Sequence, residues 1–161
     1  MTHSPPAPGV APAPAQGVAR ADGPSGPRAG FWRRFAASLL DGILIGVASV
    51  ILGALLRGAG SALATLLSIA YYVYFEGGPT GQTLGKQALG IRVVDLPAGG
   101  EIGYGRAFIR WLGRILSSIP ILLGYFWMLW DREKQTWHDK LSTAVVVPVE
   151  AYPVASPTRT V

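Results

Sequence analysis

Two apolar blocks separated by a short turn dominate the first half of the chain. From Gly42 to Leu56 the run GILIGVASVILGALL carries no charge. A helix from about Phe31 to Leu56 through this run is long enough to cross a hydrocarbon core of roughly 30 Å. Arg57-Gly58-Ala59-Gly60 reads as a turn, and Ser61 to Phe75 (SALATLLSIAYYVYF) predicts a second span. Its last residues include Tyr71, Tyr72, Tyr74 and Phe75, which suit an aromatic belt at a membrane surface. The pair predicts a transmembrane helical hairpin.

The pattern then changes. A polar, glycine-rich stretch, EGGPTGQTLGKQ, leads into Leu89–Asp95, whose branched residues between Gly and Pro predict a strand. Thr143 to Pro148 repeats that composition. Neither strand is stable alone, so the two are expected to meet outside the bilayer as a small β element on the cytoplasmic side. Between them, Arg106, Arg110 and Arg114 recur at every fourth position from Tyr104 to Arg114, with apolar residues elsewhere. That spacing predicts an amphipathic helix with its guanidiniums on one face, lying in the membrane interface. Ile115 to Trp130 is uncharged but holds Pro120 and Gly124, and it is too short to cross unaided. A break near Ser117-Ser118-Ile119-Pro120 predicts a re-entrant or two-helix span. The expected fold is thus an all-α membrane protein with one minor β element.

Composition agrees. Half of the 161 residues are apolar and 14% are charged, against roughly 25% charged in soluble domains. The absence of cysteine excludes disulfides, thiol nucleophiles and cysteine-ligated zinc. The net charge of +5 crowds the ends of apolar segments, which points to anionic lipid headgroups and not to nucleic acid. Arginines before the first helix and a basic loop after the second place the N-terminus and that loop in the cytoplasm. Residues 1–29 are rich in Pro, Ala and Gly and predict a disordered tail, residues 30–148 a membrane domain, and residues 149–161 a flexible C-terminal tail. A cleaved signal peptide is the poorer reading of the first apolar run, since the leader would be far too long and its core would follow an aspartate.

Asp41 is the candidate for chemistry, because a carboxylate inside a membrane helix is costly and marks either an ion path or a structural pairing. Arg34 shares its helical face two turns away, too far for a direct bridge. Arg110 and Arg114 are the first candidates to pair with Asp41. His138 beside Asp139 suggests a proton relay, or an Asp139 that merely caps a turn, the preferred reading. Gly42 and Gly46, extended by Ser49 and Gly53, form a stripe of small residues suited to helix packing within the chain, or to a homo-oligomer. Gly81 to Lys86 fails the phosphate-loop pattern, because Thr80 stands where its first glycine belongs and Gln87 follows the lysine. No metal set, cofactor motif or catalytic constellation is present, so no cofactor and no enzyme is expected.

Three ordered blocks, GFWRRFAASLLDG, QTLGKQALGIRVVD and DREKQTWHDKLSTAVVV, resemble the RDD family of bacterial membrane proteins over roughly Gly30 to Pro148. The resemblance maps the family's arginine and two aspartates onto Arg34, Asp41 and Asp139. It implies a multi-pass protein of the inner membrane and a transport role, including exchange of a monovalent cation for protons. In that reading Asp41 binds the ion, Arg34 positions that carboxylate or anchors the helix, and Asp139 gates or relays at the cytoplasmic face. The alternative is a non-transporting scaffold or regulator.

Overall fold

The computed structural model describes residues 26–56, 59–118 and 123–154. Most of the expected N-terminal tail, part of the turn at Arg57, the expected break at Ile119-Pro120 and the last seven residues lie outside the described residues.

The first apolar block forms helix α1 (Phe31–Leu55) and the second forms α2 (Gly60–Gly77). α1 has 25 residues, about 37 Å at the α-helical rise, and among the described residues it alone has the length and apolar composition to cross a membrane. Trp32, Phe35, Leu39, Ile43, Val47 and Val50 stay exposed along α1, while Ala37 and Asp41 are buried. α2 packs against α1 and is packed in turn by α4 (Gly103–Ser118). The small-residue stripe does not serve packing within the chain as expected. A methyl group at Gly42 or Gly46 would meet nothing within 4 Å, because α1 turns the neighbouring Ala37–Asp41 face inward. A methyl group at Gly53 would likewise meet nothing, and the close approach of the two helices there rests on Gly60 of α2, where a side chain would run into the Gly53 backbone.

The strand-like segments pair antiparallel as β1 (Ile91–Asp95) and β2 (Ala144–Pro148), in register Ile91 to Pro148 and Asp95 to Ala144. Ile91, Val93, Ala144 and Val146 point into one apolar cluster with Ala29, Ala37 and Ala107; Val94, Val145 and Val147 form another with Leu96 and Tyr152. A two-stranded ribbon normally fails because both its edges are open. Here both are closed. Val93 donates to the Gly81 carbonyl at 2.8 Å and Gln82 to the Ile91 carbonyl, while Ala29 and Gln135 donate to the carbonyls of Val146 and Ala144. Gly81 has φ +63°, and a side chain there would run into the Val93 carbonyl, so this edge closure requires glycine.

Two short helices complete the fold: α3 (Leu84–Ala88), capped by Thr83, and α6 (Trp137–Leu141), opened by a capping box of Thr136 and Asp139. The segment expected to start a third span at Ile115 instead continues α4 to Ser118, and α5 (Leu123–Phe126) runs into a 3-10 turn at Trp127–Leu129.

α4 is amphipathic as expected but turned the other way. Its arginines face carboxylates of the protein, Arg106 on Asp95 and both Arg110 and Arg114 on Glu76. Phe108, Ile109, Leu112, Ile115 and Leu116 remain exposed. The reason is that α2 and β1 offer buried acids to that face, and an acid buried without a cation is far costlier than an apolar side chain left outside.

Candidate functional site

The charged residues gather where the N-terminal third of α1, the end of α2, α3, α4 and α6 converge. α3 is pressed so closely on α1 that a side chain at Gly85 would collide with the Ala37 carbonyl and the Asp41 carboxylate. This approach supplies Asp41 with its partners. Thr83 donates from its hydroxyl at 2.6 Å, Gly85 from its backbone N–H at 2.8 Å, and Tyr71 of α2 from its hydroxyl at 2.7 Å. Tyr71 in turn accepts from the Leu84 N–H at 3.0 Å, which fixes its proton toward Asp41. The expected pairing of Asp41 with Arg110 or Arg114 is therefore not found. α3 stands against that carboxylate with neutral donors, and the arginines are taken by other acids.

Those acids are Glu76 and Asp139, both completely buried. Lys86 of α3 reaches Glu76 at 2.5 Å, Arg110 donates to its other oxygen at 3.0 Å, and Arg114 pairs with it while lying 4.0 Å from the Tyr72 ring centroid. Asp139 pairs with Arg110 through one oxygen and Arg34 through the other, and it accepts the Thr136 N–H at 3.0 Å. Arg110 thus ties the two carboxylates into one network, and Asp139 is both cap and counter-ion. Two of the three residues that carry the family resemblance, Arg34 and Asp139, meet directly; Asp41 is caged apart from them.

Glu76 and Lys86 are the site residues that sequence reasoning passed over. Glu76 closes an apolar run just before Gly-Gly-Pro and reads as loop; Lys86 reads as part of a failed phosphate loop and of the basic cytoplasmic loop. A signal existed, since three arginines on one helical face need counter-charges and few acids are within reach.

The electrostatics fix protonation states. Burial pushes the Asp139 carboxyl up, but Arg110 and Arg34 outweigh it and hold the group well below the usual carboxylate range. Burial, with the Arg110, Arg114 and Arg34 charges adding to it, drives His138 well below its ordinary value despite Asp139. His138 is thus neutral and Asp139 ionised near neutral pH. Lys86 is lowered to about 8, first by burial and then by Arg114 and Arg110, with Glu76 only partly opposing them.

A pH dependence follows. A neutral buried His138 becomes protonated on unfolding, so stability should fall as pH drops below about 6.5, with Asp139 adding to the loss below about 4. Lys86 works in the opposite range. Its folded value lies below its unfolded one, so stability should rise between about pH 8 and 10.5, as the penalty of burying its charge disappears. Thermal unfolding in detergent across pH 4.5–10.5 tests both: His138→Gln should flatten the acid slope and Lys86→Met the alkaline one.

Comparison with known proteins places the chain in a family. Residues 28–143 match the RDD family. The chain is 35% identical over 96 residues to the proline-rich antigen homolog of Mycobacterium tuberculosis (strain ATCC 25618 / H37Rv), covering 56% of this chain and 40% of that protein. It is 33% identical over 89 residues to the proline-rich antigen of Mycobacterium leprae (strain TN), covering 53% and 36%. The match thus spans well under half the length of either mycobacterial relative. The uncharacterized protein YxaI of Bacillus subtilis (strain 168) is 29% identical over 147 residues, covering 74% of this chain and 96% of that one. No solved structure matches. With Arg34, Asp41 and Asp139 all inside the matched region, the chain belongs to the RDD family of membrane proteins.

Proposed function

We propose that this protein is a multi-pass component of the bacterial inner membrane, N-terminus in the cytoplasm, that acts as a non-transporting scaffold or regulator. In this reading α1 and α2 form a transmembrane hairpin, α5 and the turn at Trp127–Leu129 dip into the membrane without crossing, and the sheet with α3 and α6 caps the cytoplasmic end. The open Gly42–Gly46 face suits contact with a second copy or another membrane helix.

One observation carries the scaffold reading: the buried carboxylates of the cluster are filled by the protein's own donors. Asp41 holds three, Glu76 three cations, and Asp139 two arginines and a backbone N–H. A monovalent cation finds no open acidic oxygen among them. Exchange of a monovalent cation for protons is the second reading, favoured by Lys86, a buried amine that changes charge near pH 8 and touches Glu76.

Asp41→Asn separates the two. An asparagine presents N–H groups where one carboxylate oxygen accepted, so at least one of the Tyr71, Thr83 and Gly85 bonds is lost, a cost of about 1–3 kcal/mol. The scaffold predicts a lower unfolding temperature and no cation-driven proton flux in liposomes from either protein. Wild-type flux under a Na⁺ or K⁺ gradient, lost in a well-folded Asp41→Asn, would establish exchange instead.

A further inference from the structure

Between α1, α4 and the Leu123–Leu129 segment lies a cavity of about 350 Å³, large enough for a small ligand. One wall is cationic, made by Arg34, Lys86, Arg110 and Arg114. Asp41, Glu76 and Asp139 stand behind that wall and do not line the space. Four cations against three carboxylates leave the cluster with one positive charge in excess, and neutral His138 does not change that balance. The opposite wall is apolar: Phe31, Phe35, Leu39, Phe126 and Met128. Phe35 and Leu39 are 52% and 53% exposed and continue the outer stripe of Trp32 and Ile43. The mouth therefore opens on the face that α1 presents to lipid.

The geometry points to a binding site for an amphiphilic anion, a phosphate or carboxylate head carried on a hydrocarbon chain. The head lies against the guanidiniums, whose planar forks match oxyanions, and the chain leaves along Phe35 and Leu39. A metal cation is repelled from the same space. The two sources of such a ligand are an anionic lipid of the bilayer and a soluble single-chain anion.

The test titrates the full chain in uncharged detergent and follows its unfolding temperature. The ligands are dihexanoyl phosphatidylglycerol, hexyl phosphate, inorganic phosphate and dihexanoyl phosphatidylcholine. A saturable rise is expected with the first two, none with the zwitterionic lipid, and half-saturation by inorganic phosphate only at tenfold or higher concentration. The tighter of the first two assigns the source, and either result upholds the site. Ser38→Phe, which fills the cavity wall from outside the ion pairs, should weaken the anions at least tenfold. Lys86→Met removes one cation and leaves Glu76 with Arg110 and Arg114; it should weaken them similarly. Equal shifts with phosphatidylcholine, inorganic phosphate as effective as hexyl phosphate, undiminished binding by Ser38→Phe, or no shift at all would each overturn the proposal.

Discussion

Glu76→Gln should be the most damaging single substitution among the charged residues. Glutamine keeps the shape but removes the carboxylate that pairs with Lys86 and Arg114 and one of the two that hold Arg110. Breaking a buried pair costs about 3–5 kcal/mol because a charge is left uncompensated, and here three cations each lose one ion pair. Against a typical total of roughly 5–15 kcal/mol, the variant should be marginal or unfolded in detergent. Adding Lys86→Met should recover part of the loss, since it removes one stranded cation. Thermal unfolding of wild type and the single and double variants checks this. A Glu76→Gln loss below about 1 kcal/mol would mean that water reaches the cluster and screens it.

Asp139→Asn should rank second, at about 3 kcal/mol. Asparagine retains an oxygen for the cap at Thr136 but leaves Arg34 facing a neutral group and Arg110 with Glu76 alone. Since Arg34 loses its carboxylate, Arg34→Met should cost much less in the Asp139→Asn background than in wild type. A double-mutant cycle on the two positions measures the coupling, and additive losses would contradict the direct pairing.

The elements were mostly readable in the sequence, and the partners mostly were not. Long apolar runs set α1 and α2 within two residues, because such runs are longer than a strand and are bounded by polar and glycine-rich turns. Branched residues bounded by Gly and Pro located both strands, and their mutual need for an edge predicted the pairing. The spacing of Arg106, Arg110 and Arg114 marked a helix but carried no information on which side lipid lay. Residue spacing speaks of faces within one element; which acid meets which cation depends on how α2, α3 and α6 converge. Asp41 illustrates this. Its cost was evident, yet its partners are a threonine, a tyrosine and a backbone N–H in segments that read as aromatic belt and loop. The close approach that brings them rests on Gly85, whose missing side chain leaves no periodic trace.

The pairing of β1 with β2 also sets an order of events during synthesis. Nearly fifty residues separate Asp95 from Ala144, so β1 leaves the ribosome well before its partner exists. At about 5–20 residues per second, that interval is roughly 2–10 s. During it Val93 and Val94 present a bare hydrophobic edge, while α4 and the acid of α6 that two arginines await are still being made. The strand made last acts as a clasp. Until Val145, Val146 and Val147 arrive, the helices are neighbours without a common floor, exposed in that window to proteases and to pairing with another nascent chain.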